Sequence, residues 1–412
     1  MMSAASNHKI NPATPDRPIR VLCIDGGGIR GAACASFLKQ LERDTGRPIR
    51  ESFDMFAGTS VGGILVAAMV YGGLTAEQIC DELMTTEVGM EMMPSTLADR
   101  FLSVAQTIPK FDGKGKRAVI DRYCGAGRRF CPQEWETERN GRLPFVLFTT
   151  YDLVRGRPRI HRNWEDGSDE LVADVVDQTS AAPGFYPVVS SDTPVSGPQR
   201  GVDGALFANN PTDCAYAEAL KIYGPGADIR VLSVGTGYAA ETPVADASDN
   251  VGGIQWLSKN NLLSIIFDGP QEVVDMRMRA FTEAMDHEYV RVTGAVHNTS
   301  IDDVSGWNIK SLKATGEAWW YRDRAEVLHR MGFRDPGFSG APAFSDLCAD
   351  DIGSDYKPYF TTVGPPRERK SKVVEPKTDT SGFTAVEGPY TPMSAATSAH
   401  QTSFLGWLFG EW

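Results

Sequence analysis

Apolar residues in this chain gather into short solid runs that end in glycine, separated by longer stretches with helical spacing. Arg20-Val21-Leu22-Cys23-Ile24 is one such run and stops at Asp25-Gly26-Gly27-Gly28-Ile29-Arg30-Gly31. A helical pattern through Phe37, Leu38 and Leu41 follows and closes near Gly46-Arg47-Pro48. The next run, Phe53 to Gly58, turns sharply at Gly58-Thr59-Ser60-Val61-Gly62 into a stretch from Ile64 to Tyr71 that is apolar nearly all round, as a central buried helix would be. Strand, glycine turn, helix, strand, glycine turn, helix is the order of a parallel sheet covered by helices on its faces, an α/β fold.

Farther on, the spacing predicts helices over 74–84 and 97–108, a buried strand over 143–152, a helix over 172–179, and a short strand ending at Asp203. Pro211 is placed for the first turn of a helix running to Tyr223. Ile229 to Val234 is the last clear sheet strand, and only helical patterns follow it, over 261–267, 272–285 and 314–330. Residues 1–17 read as a disordered lead-in. Residues 336–403 read as an irregular extension and linker, rich from 363 in Pro, Ser, Thr and charge. The aromatic tail 404–412, Phe404-Leu405-Gly406-Trp407-Leu408-Phe409-Gly410-Glu411-Trp412, suits interfacial contact, docking in a groove, or packing on its own domain.

Charge and cysteine usage narrow the setting. A net charge of -12 argues against a nucleic-acid polymer as partner and against wholesale attraction to anionic membranes. Seven scattered cysteines without a Cys-x-x-Cys pair fit reduced thiols in a cytoplasm. The polar start lacks the apolar core of a signal peptide, and no stretch approaches the roughly 18 apolar residues that span a bilayer.

Gly58-x-Ser60-x-Gly62 between a strand and a helix is the pattern of a nucleophile elbow, with Gly58 and Gly62 allowing the tight turn. Gly26-x-Gly28-x-x-Gly31 matches the dinucleotide fingerprint, which also requires an acidic residue at the end of the second strand. Asp54 lies at the beginning of that strand instead, so the glycine loop fits better as backbone donors for an oxyanion, with the charge of Arg30 beside it. Asp203 stands in an Asp-Gly turn, where a carboxylate ordinarily caps the turn. Met84, Met90, Met92 and Met93 read as core filling ahead of an acyl-chain pocket. The basic stretch 110–129, with Lys116 and Arg117, reads as a solvated loop, and Arg155, Arg157, Arg159, His161 and Arg162 as the charged face of an edge strand. Both stretches are also candidate contacts for an anionic ligand. No clustered His/Cys ligands suggest a metal.

Together these motifs resemble the patatin-like phospholipase family. Asp25 to Gly31 resembles its glycine-rich oxyanion motif and Gly58 to Gly62 its elbow. Ser180-Ala181-Ala182-Pro183 resembles the small-residue segment before its second catalytic residue, and Asp203-Gly204-Ala205, continued by Phe207 to Pro211, its Asp-Gly motif. Val234 to Gly237 fits the strand end that follows. The resemblance spans residues 18–335, strongly to about 240, and implies a three-layer α/β/α fold with a mainly parallel sheet. It also implies a Ser60–Asp203 dyad with an oxyanion hole from Gly26, Gly27, Gly28 and Arg30, hydrolysing esters of membrane phospholipids without a catalytic cofactor. The expected setting is cytoplasmic with peripheral membrane contact, and a homo-oligomer is a further expectation. Bacterial members include effectors switched on by cyclic nucleotides in antiphage defence, so a cyclic nucleotide is the expected activator. The competing readings are a Ser-His-Asp α/β-hydrolase using His287, His297 or His329, and a catalytically silent scaffold.

Overall fold

The computed structural model describes residues 17–94, 108–131, 144–165, 168–239 and 262–333, all within one unit, residues 1–341. The lead-in before residue 17, nearly all of the helix expected over 97–108, the extension 336–403 and the tail 404–412 lie outside the described residues.

The first run forms strand β1, Ile19–Ile24, followed by helix α1, Gly31–Thr45. Strand β2, Met55–Gly58, leads through the Ser60 turn into helix α2, Val61–Val70, which is buried along its whole length. Helix α3 is Lys114–Tyr123, and strands β3, Phe145–Asp152, and β4, Arg157–Arg162, form a hairpin. Helix α4, Val172–Thr179, precedes a second hairpin, β5 (Val189–Thr193) with β6 (Gly197–Asp203). Helix α5 (Thr212–Tyr223), strand β7 (Ile229–Val234), helix α6 (Leu262–Met285), strand β8 (Glu288–Val292) and helix α7 (Gly306–Arg330) follow. Shorter helices (Ile49–Ser52, Thr86–Met92, Ala205–Ala208) and a small parallel pair, Tyr238–Ala239 with Ala295–Val296, lie among these elements.

Strands β1 to β8 make one sheet in the order β5-β6-β3-β2-β1-β7-β8, with β4 on β3. From β3 to β8 the pairings are parallel, and β4, β5 and β6 join antiparallel. The sheet explains why the apolar runs are solid. In β1, Leu22 and Ile24 face a core shared with α1, α2, α4 and α7, while Ile19, Val21 and Cys23 face one shared with α5 and α6. Side chains alternate between faces with period two, and both faces are covered, so the four consecutive positions Val21 to Ile24 are apolar and buried. The fold is the expected three-layer α/β/α arrangement.

Several expectations need correction. Residues 114–123 are helix rather than loop: Lys116, Val119 and Ile120 are its buried residues, and the surrounding charges hide that helical spacing. Beyond β7 the sheet gains β8, a five-residue strand whose alternation of Glu288 and Arg291 with Tyr289, Val290 and Val292 was lost among helical signals. The helix expected over 74–84 is one short turn, Ala76–Gln78, running into a π-helical turn, Ile79–Leu83. The central buried helix begins at Val61, immediately after Ser60, rather than at Ile64. The helices expected over 261–267 and 272–285 are continuous, with Pro270 inside α6.

Candidate active site

Ser60 joins β2 to α2 with φ 56° and ψ −124°, a left-handed conformation that costs a residue with a side chain on the order of 1–3 kcal/mol. The turn is tight enough that a Cβ on Gly62 would lie 2.2 Å from the Ile24 carbonyl oxygen at the end of β1. Gly58 is the last residue of β2. The Ser60 N–H donates to Thr179 Oγ1 (3.2 Å), whose hydroxyl donates to the Thr149 carbonyl (2.6 Å), so the turn hangs from β3 and the end of α4.

Strand register carries Asp203 to the same place. Strand β3 pairs with β2 through residues 145–148, Phe148 opposite Gly58, and then with β6 through residues 150–152, Thr150 opposite Asp203. The residue that ends β6 therefore arrives beside the turn that ends β2. There Asp203 and Ser60 line the same cavity, and the Ser60 hydroxyl favours the ionised form of Asp203. Asp203 is 1% exposed, and its Oδ1 accepts the Ala205 N–H at 2.8 Å. Burial pushes its carboxyl up to about 6, against the opposing pull of the Ala205 N–H, the Ser60 hydroxyl and the charge of Lys116.

The glycine loop after β1 is braced on several sides. The Gly26 N–H donates to the Asn209 carbonyl (3.0 Å), and the Gly26 carbonyl accepts from Thr236 Oγ1 (2.7 Å). The Ile29 N–H donates to the Ile301 carbonyl (2.9 Å). Gly28 has φ 56°, and a Cβ there would sit 2.1 Å from the Ile301 oxygen, so only glycine fits. The N–H groups of Gly27 and Gly28 have no hydrogen-bond partner among the described residues. Both glycines line a cavity of about 260 Å³ with Ser60, Asp203 and Asn209.

Arg30 is fixed beside the loop by its own hydrogen bonds. It is 2% exposed, and its guanidinium donates to the carbonyls of Gly237 (3.1 Å) and Gly27 (3.4 Å), clamping the loop. The loop's other charge tie was not read from the sequence. Asp25, wholly buried, receives a two-pronged bond from Arg291 of β8, 2.8 Å on one prong. Arg291 also donates to Ser233 Oγ (2.8 Å) and Gln271 Oε1 (3.2 Å). Burial alone would lower the Arg291 guanidinium, and the Asp25 charge overrides it and raises it. The alternation in Glu288 to Val292 is the signal that could have placed this arginine in the sheet.

An apolar cleft of about 490 Å³ opens on the other side of Ser60, lined by Ile29, Ile64, Leu83, Met84, Met92 and Met93 among others. The methionines thus wall a pocket as well as filling core, with Met84 and Met92 belonging to both; Met90 is exposed. The four candidate anion contacts are not gathered into one site by their observed partners. Lys116 is buried in the cleft wall, 2.9 Å from Asp177 Oδ1. Arg117 pairs with Asp174 (2.7 Å) and Asp121 (3.1 Å), and Arg155 pairs with Asp152 (2.6 Å). Arg157 lies exposed on β4. His161 is buried between Thr150 and Glu170, and Arg159 and Arg162 pair with Glu170 and Glu218.

Two of the three histidines of the triad alternative lie at the far end of the sheet. His287 stands just before β8, at the end of the parallel sheet opposite the Ser60 turn, with Nδ1 on the Tyr216 hydroxyl at 2.7 Å. His329 is exposed near the end of α7, beside Arg330, which pairs with Glu288 at that same end. His297 is exposed. Among the described residues no three His, Cys, Asp or Glu side chains are grouped to hold a metal, and no helix is long and apolar enough to cross a membrane.

Comparison with known proteins agrees with this geometry. A family model described as patatin-like phospholipase matches residues 22–216, from β1 into α5 and so across both Ser60 and Asp203. Patatin-like protein 2 of Oryza sativa is 27% identical, over 77% of this chain and 88% of its own length. A cGAMP-activated phospholipase of Pseudomonas aeruginosa is 28% identical, over 77% of this chain and 90% of its own. A cUMP-AMP-activated phospholipase of Escherichia coli is 30% identical, over 55% and 67%. With strands, elbow, glycine loop and Asp-Gly turn in the matched order, this chain belongs to the patatin-like phospholipase family of lipid acyl hydrolases.

Proposed function

We propose that the protein hydrolyses carboxylic esters of membrane phospholipids with Ser60 as nucleophile and Asp203 as general base. Asp203 takes the proton of the Ser60 hydroxyl as Oγ attacks the ester carbonyl carbon. The N–H groups of Gly27 and Gly28 receive the oxyanion, and the acyl chain lies along the apolar cleft. As the tetrahedral adduct collapses, the ester C–O bond breaks and Asp203 returns the proton to the departing alcohol. Water, deprotonated by Asp203, then attacks the acyl-serine and releases a fatty acid. Gly26, Gly58, Gly62 and Arg30 hold the backbone of the two turns. The observation that supports this reading most is the strained Ser60 turn lining one cavity with the buried Asp203, beside the Gly27 and Gly28 N–H groups that have no partner among the described residues. Fatty-acid release from phospholipid vesicles by the full chain tests it: Ser60→Ala should lose at least about a thousandfold. Undiminished release would favour a silent scaffold.

A second part of the proposal is activation by a cyclic oligonucleotide, supported by relatives described as cGAMP-activated and cUMP-AMP-activated. A phospholipase acting peripherally on membranes of its own cell needs such control, and antiphage defence is the expected setting. The same vesicle assay, run with and without a panel of cyclic di- and trinucleotides, decides it; a full rate with no nucleotide removes the gating. Light scattering in the same samples would show whether activation brings a homo-oligomer.

A further inference from the structure

A lysine buried in an apolar wall is costly, and Lys116, 1% exposed, sits in the wall that faces Ser60. Its ammonium donates to the Asp177 carbonyl (2.9 Å) and to Ser180 Oγ (3.2 Å), lies 2.9 Å from Asp177 Oδ1, and stands 4.4 Å from the centre of the Tyr186 ring. Two of its protons thus go to protein oxygens, and the Asp177 carboxylate and the Tyr186 ring stand against it as well, so its observed surroundings argue for an internal role.

The segment from the last residue of α4 onward shows what that role is. Over three consecutive residues it touches each part of the machinery. Thr179 Oγ1 receives the Ser60 N–H, Ser180 Oγ receives the Lys116 ammonium, and the Ala181 carbonyl receives the Asp203 N–H at 3.0 Å. Ala182 then lines the cavity that holds Asp203 and Ser60. The small residues of this strap let three chemical groups approach one stretch of backbone. Ser60, the Ala205 N–H and the Lys116 charge favour the ionised Asp203, and burial opposes them. Lys116 itself is drawn down by burial and held up by Asp177 and Asp203, with Arg117 opposing.

We propose that Lys116 is a positioning residue for the hydrolysis, a fixed cation strapped beside the dyad whose charge keeps Asp203 in its proton-accepting form. The inference rests on the Ser60–Asp203 reading, and its test separates the two.

The experiment uses the full chain with a small uncharged ester, following kcat/KM from pH 5 to 9, alongside labelling by a fluorophosphonate that reports Ser60 reactivity. The variants are Lys116→Met, Lys116→Arg and Lys116→Met/Asp177→Asn, the last removing the cation without stranding the Asp177 charge. Both Met-containing variants should show the acid limb moved up by about one pH unit, a roughly fivefold loss near pH 6 that approaches tenfold at pH 5 and shrinks toward pH 9. Lys116→Arg should restore the limb. An unmoved limb in the double variant, or a loss equal at every pH, overturns the proposal. If Lys116→Met does not fold, the double variant carries the same decision. Failure of the dyad reading gives a different result: Ser60→Ala would keep its ester hydrolysis and its labelling.

Discussion

At the scale of single residues, Ser60 sits at φ 56°, ψ −124°, a place where glycine is the residue with least to lose. Ser60→Gly should therefore be more stable than Ser60→Ala by about 1 kcal/mol, the reverse of their order inside a helix, as read by denaturant melts of the two inactive variants. Equal melts would mean that the turn stores no strain at this position. Asp203 carries a second trade between stability and activity. The folded protein holds its proton to about pH 6, whereas the ordinary carboxyl value is 3.8. The native state thus binds the extra proton between those values, so stability falls as pH rises through that window and is level above it. At 1.36 kcal/mol per pH unit the fall is roughly 3 kcal/mol. Asp203→Asn should remove it, melting higher than the parent at pH 8 while losing at least about a thousandfold in turnover. For the parent, kcat/KM on an uncharged ester should climb with pH through a midpoint near 6 as Asp203 becomes able to accept the serine proton. A flat profile from pH 5 to 8 would remove Asp203 as the base.

At the scale of elements, the glycine loop is held by a strand that is adjacent in space and distant in sequence. Arg291 on β8 grips Asp25 at the end of β1 across β7. Removing only Arg291 strands a buried charge, so Arg291→Met should cost about 3–5 kcal/mol. Asp25→Asn/Arg291→Met should cost clearly less than the sum of its single changes, a coupling that a double-mutant cycle measures. Additive costs would show that the pair is not an energetic unit. The sequence could present β1, β2 and β7 plainly because each is buried on both faces and reads as a mostly apolar run ending at a glycine turn. It hid β8 and α3 for one shared reason. Each contains a cation buried by a specific carboxylate, Arg291 by Asp25 and Lys116 by Asp177, and charge in a pattern reads as exposure.

At the scale of the molecule, the carboxyl ends of parallel strands β1 and β2 deliver the glycine loop and Ser60 to one edge of the sheet, and β6 delivers Asp203 there from the antiparallel side. His287 belongs to the opposite edge. Its imidazole, lowered by burial, holds the Tyr216 hydroxyl. His287→Ala should therefore keep hydrolysis within about threefold of the parent while losing on the order of 1 kcal/mol of stability. A thousandfold loss of turnover in a folded His287→Ala protein would restore the triad reading.

What the sequence determined by itself was local. Glycines at Gly26 to Gly28, Gly58 and Gly62 mark turns that only small residues can make, and the apolar runs mark strands covered on both faces. Those features singled out Ser60 and the loop as candidates and set the fold class, because turn geometry and burial depend mostly on neighbours along the chain. Asp203 in its Asp-Gly turn was indistinguishable from a turn cap until a family likeness singled it out. Tertiary structure alone decided that Met84, Met92 and Met93 wall the cleft, that Arg30 clamps carbonyls, and that Lys116 is buried against Asp177 in the cleft wall. Each of these depends on strand register and on the pairing of buried charges across long sequence separations, which no local spacing records.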